Sequence, residues 1–339
     1  MILESFINDT AMNKFINDEY KKIEDLLIRD TFTNFDIALS ANSFIDLAID
    51  NLVLLKIKNK MNHHNITIAN ELNSVFSKEE SRVKSIELLL YEISSFLKVN
   101  KINHIFTKAF QHYPDMGHDI DLLIPDLKGQ QLLKEKFSLI EDETSLLNHL
   151  SEKSAYLINK NIPIEMHRKI GHFGEYNDLT GIFFENIIIH NDLPILSREN
   201  QLILQVIQRF YGHMSIRLSD IILMIDLINQ KLDEVYIKEI AEENNLLEPF
   251  SMLLNFLEEY FPNQITNHNL YDIAIGSSKR LTLNHDITYR ISKKLVVSLY
   301  LKKIKHDFFY CNWQSLKKLV FIPILFIYIE ARNFLKRFK

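Results

Sequence analysis

The chain has 339 residues, 47% hydrophobic and 24% charged, the balance of a soluble globular protein with two or three structural units. A net charge of −5 argues against general wrapping of nucleic acid, which needs a basic face. The single cysteine, Cys311, excludes an internal disulfide framework, and only 7 Gly and 7 Pro leave long stretches free of helix breakers.

The first ten residues carry no basic segment and no long apolar run, so no secretory signal is expected and the setting reads as cytoplasmic. Residues 1 to about 100 read as a helical region. Within Ser81 to Val99, Ile86, Leu89, Leu90, Ile93, Phe96 and Leu97 recur at helical spacing and form one apolar face. Asn59 to Asn65, with His63 and His64, is polar and reads as a surface loop.

From 101 to 195 short apolar runs alternate with turn signals. Ile102–Thr107, His118–Ile124, Ala155–Asn159 and Pro163–His167 read as strands, and Leu127–Phe137 as a helix started near Asp126. Tyr113 to Gly117 reads as a turn. The helical period returns from 196 to 339. Ser197 and Asn200 suggest an N-cap, followed by helices over Gln201–Asn229, Asp233–Asn244, Glu248–Phe261 and around Tyr289–Lys305. The apolar run Leu319–Ile329 lies between basic flanks. It is about half the length of a membrane span, so it reads either as a buried element or as a peripheral membrane contact through 319–339. The expected fold class is α+β, a small mixed β-sheet core flanked by N- and C-terminal helical regions.

Asp119 and Asp121 lie two apart in an expected strand, so both side chains point to one face with Cα atoms roughly 6.5 to 7 Å apart. Adjacent carboxylates repel unless a cation lies between them, and a hard dication such as Mg²⁺ takes carboxylate oxygens. Gly117 precedes the pair at a turn where backbone can approach a phosphate, and Lys108 lies upstream to meet an anion. Glu165 stands in another short strand, opposite in direction to Ile164 and Met166, and His167 shares its face.

The pattern Lys108, a short loop, Gly117-x-Asp119-x-Asp121-Leu-Leu-Ile124, then Ile164-Glu165-Met166-His167, resembles the nucleotidyltransferase superfamily that includes DNA polymerase beta. It is most similar to a little-characterised prokaryotic nucleotidyltransferase family with Lys-Gly, Asp-Ile-Asp-Leu-Leu and Glu-x-His motifs. Arg217-Leu-Ser-Asp220-Ile resembles a downstream pattern of that family, so the likeness covers about 101 to 230. The resemblance implies a nucleotidyltransferase core over 101–195. It implies that Asp119, Asp121 and Glu165 are catalytic carboxylates holding Mg²⁺ (or Mn²⁺), and that Thr107, Lys108, Gly117, His118 and His167 line the nucleotide. It further implies transfer of a nucleoside monophosphate from an NTP to an acceptor, with pyrophosphate leaving; the acceptor reads as a protein or small molecule before RNA.

Two departures stand out. Thr107-Lys108-Ala109 replaces the family's Lys-Gly, and His118 occupies a position often polar or cationic, where it either touches phosphate or caps the turn. Arg209 and His213, four apart, either close over the nucleotide or pair between helices. Asp220 reads as structural. Two other readings remain open: a nucleotide-binding module without turnover, motivated by Ala109, and a membrane-surface scaffold whose acidic pair is structural, motivated by 319–329.

Overall fold

The structure is a computed structural model that describes residues 20–30, 41–65, 70–141, 153–158, 161–172, 177–213, 215–270, 282–283, 289–291 and 293–309. Cys311 and the segment 319–339 lie outside the described residues.

The N-terminal part is helical, as its periodicity predicts. A helical segment ending in the wide turn Asp25–Arg29 precedes α1 (Ala41–Asp50), α2 (Leu54–His63) and α3 (Asn70–Val99). Helix α2 overturns the expected loop at 59–65. Leu54, Ile57 and Met61 recur at helical spacing and are buried, while Asn59, Asn62 and His63 face outward from the same helix. His64, just past its end, bonds Asp30 at 3.2 Å, as does Lys60 at 2.7 Å. In α3 the expected stripe is buried at Ile86, Leu89, Leu90, Ile93 and Leu97.

The central part is a mixed sheet with helices. In chain order it contains β1 (Ile105–Phe106), β2 (Ile120–Leu123), α4 (Leu127–Lys136), β3 (Ile140–Glu141), β4 (Lys153–Ile158) and β5 (Ile162–His167). A small ladder of β6 (Gly171–His172) and β7 (Asn177–Asp178) leads to α5 (Thr180–Glu185), then to the hairpin β8 (Ile187–His190) and β9 (Leu193–Leu196). Among the described residues, seven strands form one sheet in the order β3-β4-β5-β2-β1-β9-β8. The β2–β5 and β1–β9 pairs are parallel and the others antiparallel. Asp126 caps α4 as expected, accepting from the amides of Lys128 (3.1 Å) and Gly129 (3.0 Å). The strand expected over 102–107 is confined to Ile105–Phe106.

The C-terminal part contains α6 (Arg198–Ile207), β10 (Ser215–Ile216), α7 (Leu218–Ile228), α8 (Glu234–Glu243), α9 (Leu247–Tyr260), β11 (Thr282–Leu283), β12 (Tyr289–Arg290) and α10 (Lys293–Phe309). Ser197 caps α6 through the Asn200 amide at 3.2 Å. The single helix expected over 201–229 is broken. A wide turn at Gln208–His213 and β10 intervene, and α7 restarts where the Asp220 carboxylate accepts from the Arg217 amide at 2.7 Å. Residues 289–290 are likewise a short strand pairing with β10 and β11, with the helix beginning only at Lys293.

The two faces of the sheet bury separate apolar groups. Ile120, Leu122, Ile164 and Met166 join the larger core with residues of α2, α3, α7 and α9, while Ile105, Leu123 and Leu196 pack with Phe183, Ile203 and Ile207. The larger core runs from Tyr20 to Leu299, so all three parts of the chain share it. Among the described residues no helix is long and apolar enough to cross a membrane.

Candidate metal centre

The registers of three strands bring the acidic residues together. Parallel pairing sets Asp121 against Glu165 and Leu123 against His167; antiparallel pairing sets Lys153 against His167 and Ala155 against Glu165. Because alternate residues share a face, Asp121, Glu165, His167 and Lys153 form one polar patch, with small Ala155 beside Glu165. Ile120, Leu122, Ile164 and Met166 hold this geometry from the opposite face. Thr107 extends β1, its amide donating to the Asp121 carbonyl at 3.1 Å; it is buried opposite Asp121.

One ligand atom each from Asp121, Glu165 and His167 lies within 4.8 Å of the others. His167 Nε2 is 3.4 Å from Asp121 Oδ1 and 3.8 Å from Glu165 Oε2. Lys108 Nζ donates to Asp121 Oδ1 at 2.8 Å, and Lys153 Nζ meets Glu165 Oε2 at 2.5 Å. Burial works against ionising Asp121, but Lys108 and His167 outweigh it and hold its carboxyl well below the usual range. Burial also opposes the Lys108 charge, yet Asp121, Asp119 and Glu165 together keep its ammonium above the ordinary lysine value.

Asp119 departs from the sequence reading. Strand β2 begins at Ile120, so Asp119 precedes it, and its carboxylate is outside the three-atom cluster. It is still close enough to feel the cluster's charge: burial first, then Asp121, raise its pKa, against the pull of Lys108. His167, expected along the nucleotide, lies in the cluster.

The turn before β2 is tied down from both helical parts. Arg82 on α3 donates to the carbonyls of Met116 (2.7 Å) and Gly117 (2.9 Å) while pairing with Glu79 at 2.6 Å. A Cβ on Gly117 would approach Asp119 Oδ1 to 3.3 Å, so the glycine keeps that carboxylate uncrowded. Asp115 accepts from the Leu55 (2.7 Å) and Lys56 (3.0 Å) amides, capping α2 from a distance, and its carboxylate lies 3.5 Å from Lys56 Nζ. From the other side, Gln205 donates to Gln111 at 3.1 Å, and Asp220 lies 3.5 Å from His112 and 3.1 Å from Arg209. Arg209 is therefore a buried partner of Asp220, which has the structural role its sequence context suggested.

His118 is largely exposed at the turn, and partial desolvation of its ring followed by the Arg82 charge lowers its pKa. His213 is pushed down to about 4, by desolvation first and then by Arg209, Lys108 and Arg217. Ala109 lies outside the left-handed region; the left-handed residue of this loop is Phe110, at φ 61°, packed 5.2 Å from the His190 ring. Lys169 pairs with Asp178 at 3.2 Å.

Sequence reasoning misses Lys153, because the expected strand starts at Ala155 whereas β4 begins at Lys153. The alternation Lys153-x-Ala155, opposite Glu165 and His167, was the available signal. No protein-family model and no curated protein matches the chain. Two concavities of about 430 Å³ lie elsewhere, one on α10 around Leu301 and one between α2 and Pro114. Neither concavity is lined by Asp121, Glu165 or His167.

Proposed function

We propose that the chain is a divalent-metal-dependent nucleotidyltransferase, moving a nucleoside monophosphate from an NTP to an acceptor. The observation that carries this reading is the parallel β2–β5 register. It sets Asp121 beside Glu165, with Lys108, His167 and Asp119 around them. The donor set fits a dication: two carboxylates and an imidazole converge within 4.8 Å, and each carboxylate keeps a second oxygen beyond the one its lysine holds. When bound, the ion neutralises phosphate charge and polarises the phosphorus under attack.

The chain's own groups do the rest. Lys108 exchanges its contact with Asp121 for a phosphate oxygen, and Thr107 and His118 flank that oxygen from the loop. Glu165 takes the proton of the acceptor hydroxyl. The acceptor oxygen bonds to the α-phosphorus, the bond to the β-phosphate oxygen breaks, and pyrophosphate leaves with the electron pair. Positioning and charge supply most of the rate in such transfers. With a net charge of −5, a protein or small-molecule acceptor suits the chain better than RNA.

A second reading, nucleotide binding without turnover, is favoured by one observation. Lys108 and Lys153 already neutralise Asp121 and Glu165. Pyrophosphate release from each NTP, with Mg²⁺ or Mn²⁺ and a cell extract, separates the two. Release that needs Asp121 supports transfer; NTP binding with no release supports the module without turnover.

A further inference from the structure

We propose that His167 is a direct ligand of the ion and makes this site prefer a transition-metal dication over Mg²⁺. The inference rests on reading the cluster as a metal centre, and it changes which residues hold the ion. The sequence pattern assigns the ion to Asp119, Asp121 and Glu165, three oxygen donors. The geometry assigns it to Asp121, Glu165 and His167, with Asp119 at the rim.

Octahedral ligands at about 2.1 Å from an ion are about 3.0 Å apart when adjacent and about 4.2 Å apart when opposite. His167 Nε2 stands 3.4 Å from Asp121 Oδ1 and 3.8 Å from Glu165 Oε2, a few tenths of an ångström from the adjacent and the opposite spacing respectively. A ring that only oriented one carboxylate would make one short hydrogen bond, near 2.9 Å. This one makes a long hydrogen bond to Asp121 and brings the same nitrogen within reach of Glu165. Strand alternation explains why it cannot turn elsewhere: His167 is two residues from Glu165 on β5, with Lys153 as its cross-strand neighbour. Lys108 and Lys153 bond the same two oxygens, Asp121 Oδ1 and Glu165 Oε2, that face the imidazole. An ion held there would displace both ammonium groups from these oxygens.

The consequence is chemical. Mg²⁺ favours oxygen ligands and keeps its waters, whereas imidazole nitrogen favours first-row transition ions. An Asp-Glu-His set gains more from such an ion than a three-carboxylate set does.

The test uses the full chain without nucleotide, so it can fail while the transferase reading stands. Mn²⁺ and Mg²⁺ binding are titrated against wild type, His167→Ala and His167→Asp, and bound Mn²⁺ is probed by pulsed electron paramagnetic resonance. Expected are nitrogen coupling to Mn²⁺ in wild type and none in His167→Asp. Mn²⁺ affinity should fall about tenfold or more in His167→Ala, on the scale of lost metal-site partners, while Mg²⁺ affinity changes by less than about threefold. In His167→Asp the preference for Mn²⁺ should shrink. Should His167→Ala not fold, the His167→Asp variant carries the comparison. Absence of nitrogen coupling in wild type, equal losses for both ions, or no Mn²⁺ binding by the folded wild-type chain would each overturn the inference.

Discussion

Asp121 and Glu165 are cross-strand partners in the parallel β2–β5 pair, and each carries its own lysine, Lys108 on the first and Lys153 on the second. This doubled pairing neutralises both carboxylates. Asp121→Asn should lower nucleotidyl transfer by about a hundredfold or more, the scale of losing a charge-stabilising group at a reacting centre. Lys108→Ala should lower it less, and should weaken NTP binding more than ion binding. Steady-state kinetics beside direct NTP titration check both.

Asp115 links the turn before β2 to the start of α2. Asp115→Ala removes two amide contacts and leaves the Lys56 ammonium, also bonded to the His112 carbonyl, without its carboxylate. Breaking a buried pair and a cap together should cost roughly 3 kcal/mol. Denaturant unfolding measures this; a loss below about 1 kcal/mol would show that Asp115 does not anchor the turn.

His112 makes stability depend on pH. Burial, with Lys56 and Arg209 adding to it against the pull of Asp220, pushes its pKa down to about 4, against 6.5 for the unperturbed group. In that interval the unfolded chain binds the proton and the folded chain does not, so stability falls as pH drops from about 6.5 towards 4. The loss from this group approaches about 3 kcal/mol at the lower end. Unfolding at pH 7 and pH 5 should show the drop, and His112→Gln should flatten it.

Much of this was legible in the sequence, for identifiable reasons. Apolar periodicity gave α3, turn chemistry gave the Asp126 and Ser197 caps, and period-two alternation put Glu165 and His167 on one face. What stayed hidden depends on pairing between distant strands. Nothing local in Lys153 says that it will lie across from His167, and nothing in His118-Asp119-Ile120-Asp121 says that the strand begins two residues later than expected. The wide turn at Gln208–His213 likewise carries a tertiary contact, the Arg209–Asp220 pair, which the helical period cannot register.

Two glycines should respond oppositely to alanine. In α4 a Cβ on Gly129 would meet Ile102 Cγ2 at 2.6 Å, whereas one on Gly181 in α5 meets nothing within 4 Å. Gly129→Ala should destabilise by about 1–3 kcal/mol through overpacking. Gly181→Ala should be neutral or stabilise by up to about 1 kcal/mol, because it restricts the unfolded chain. Thermal melts of the two variants side by side decide it.

The central claim is tested most directly by label transfer. Wild type and Asp121→Asn are incubated with each α-labelled NTP, Mg²⁺ or Mn²⁺ and a cell extract, and label is followed into protein, RNA and small-molecule fractions. The account predicts label in one fraction with wild type and none with the variant. Equal labelling by both, or no NTP binding and no label with folded wild type, would contradict it.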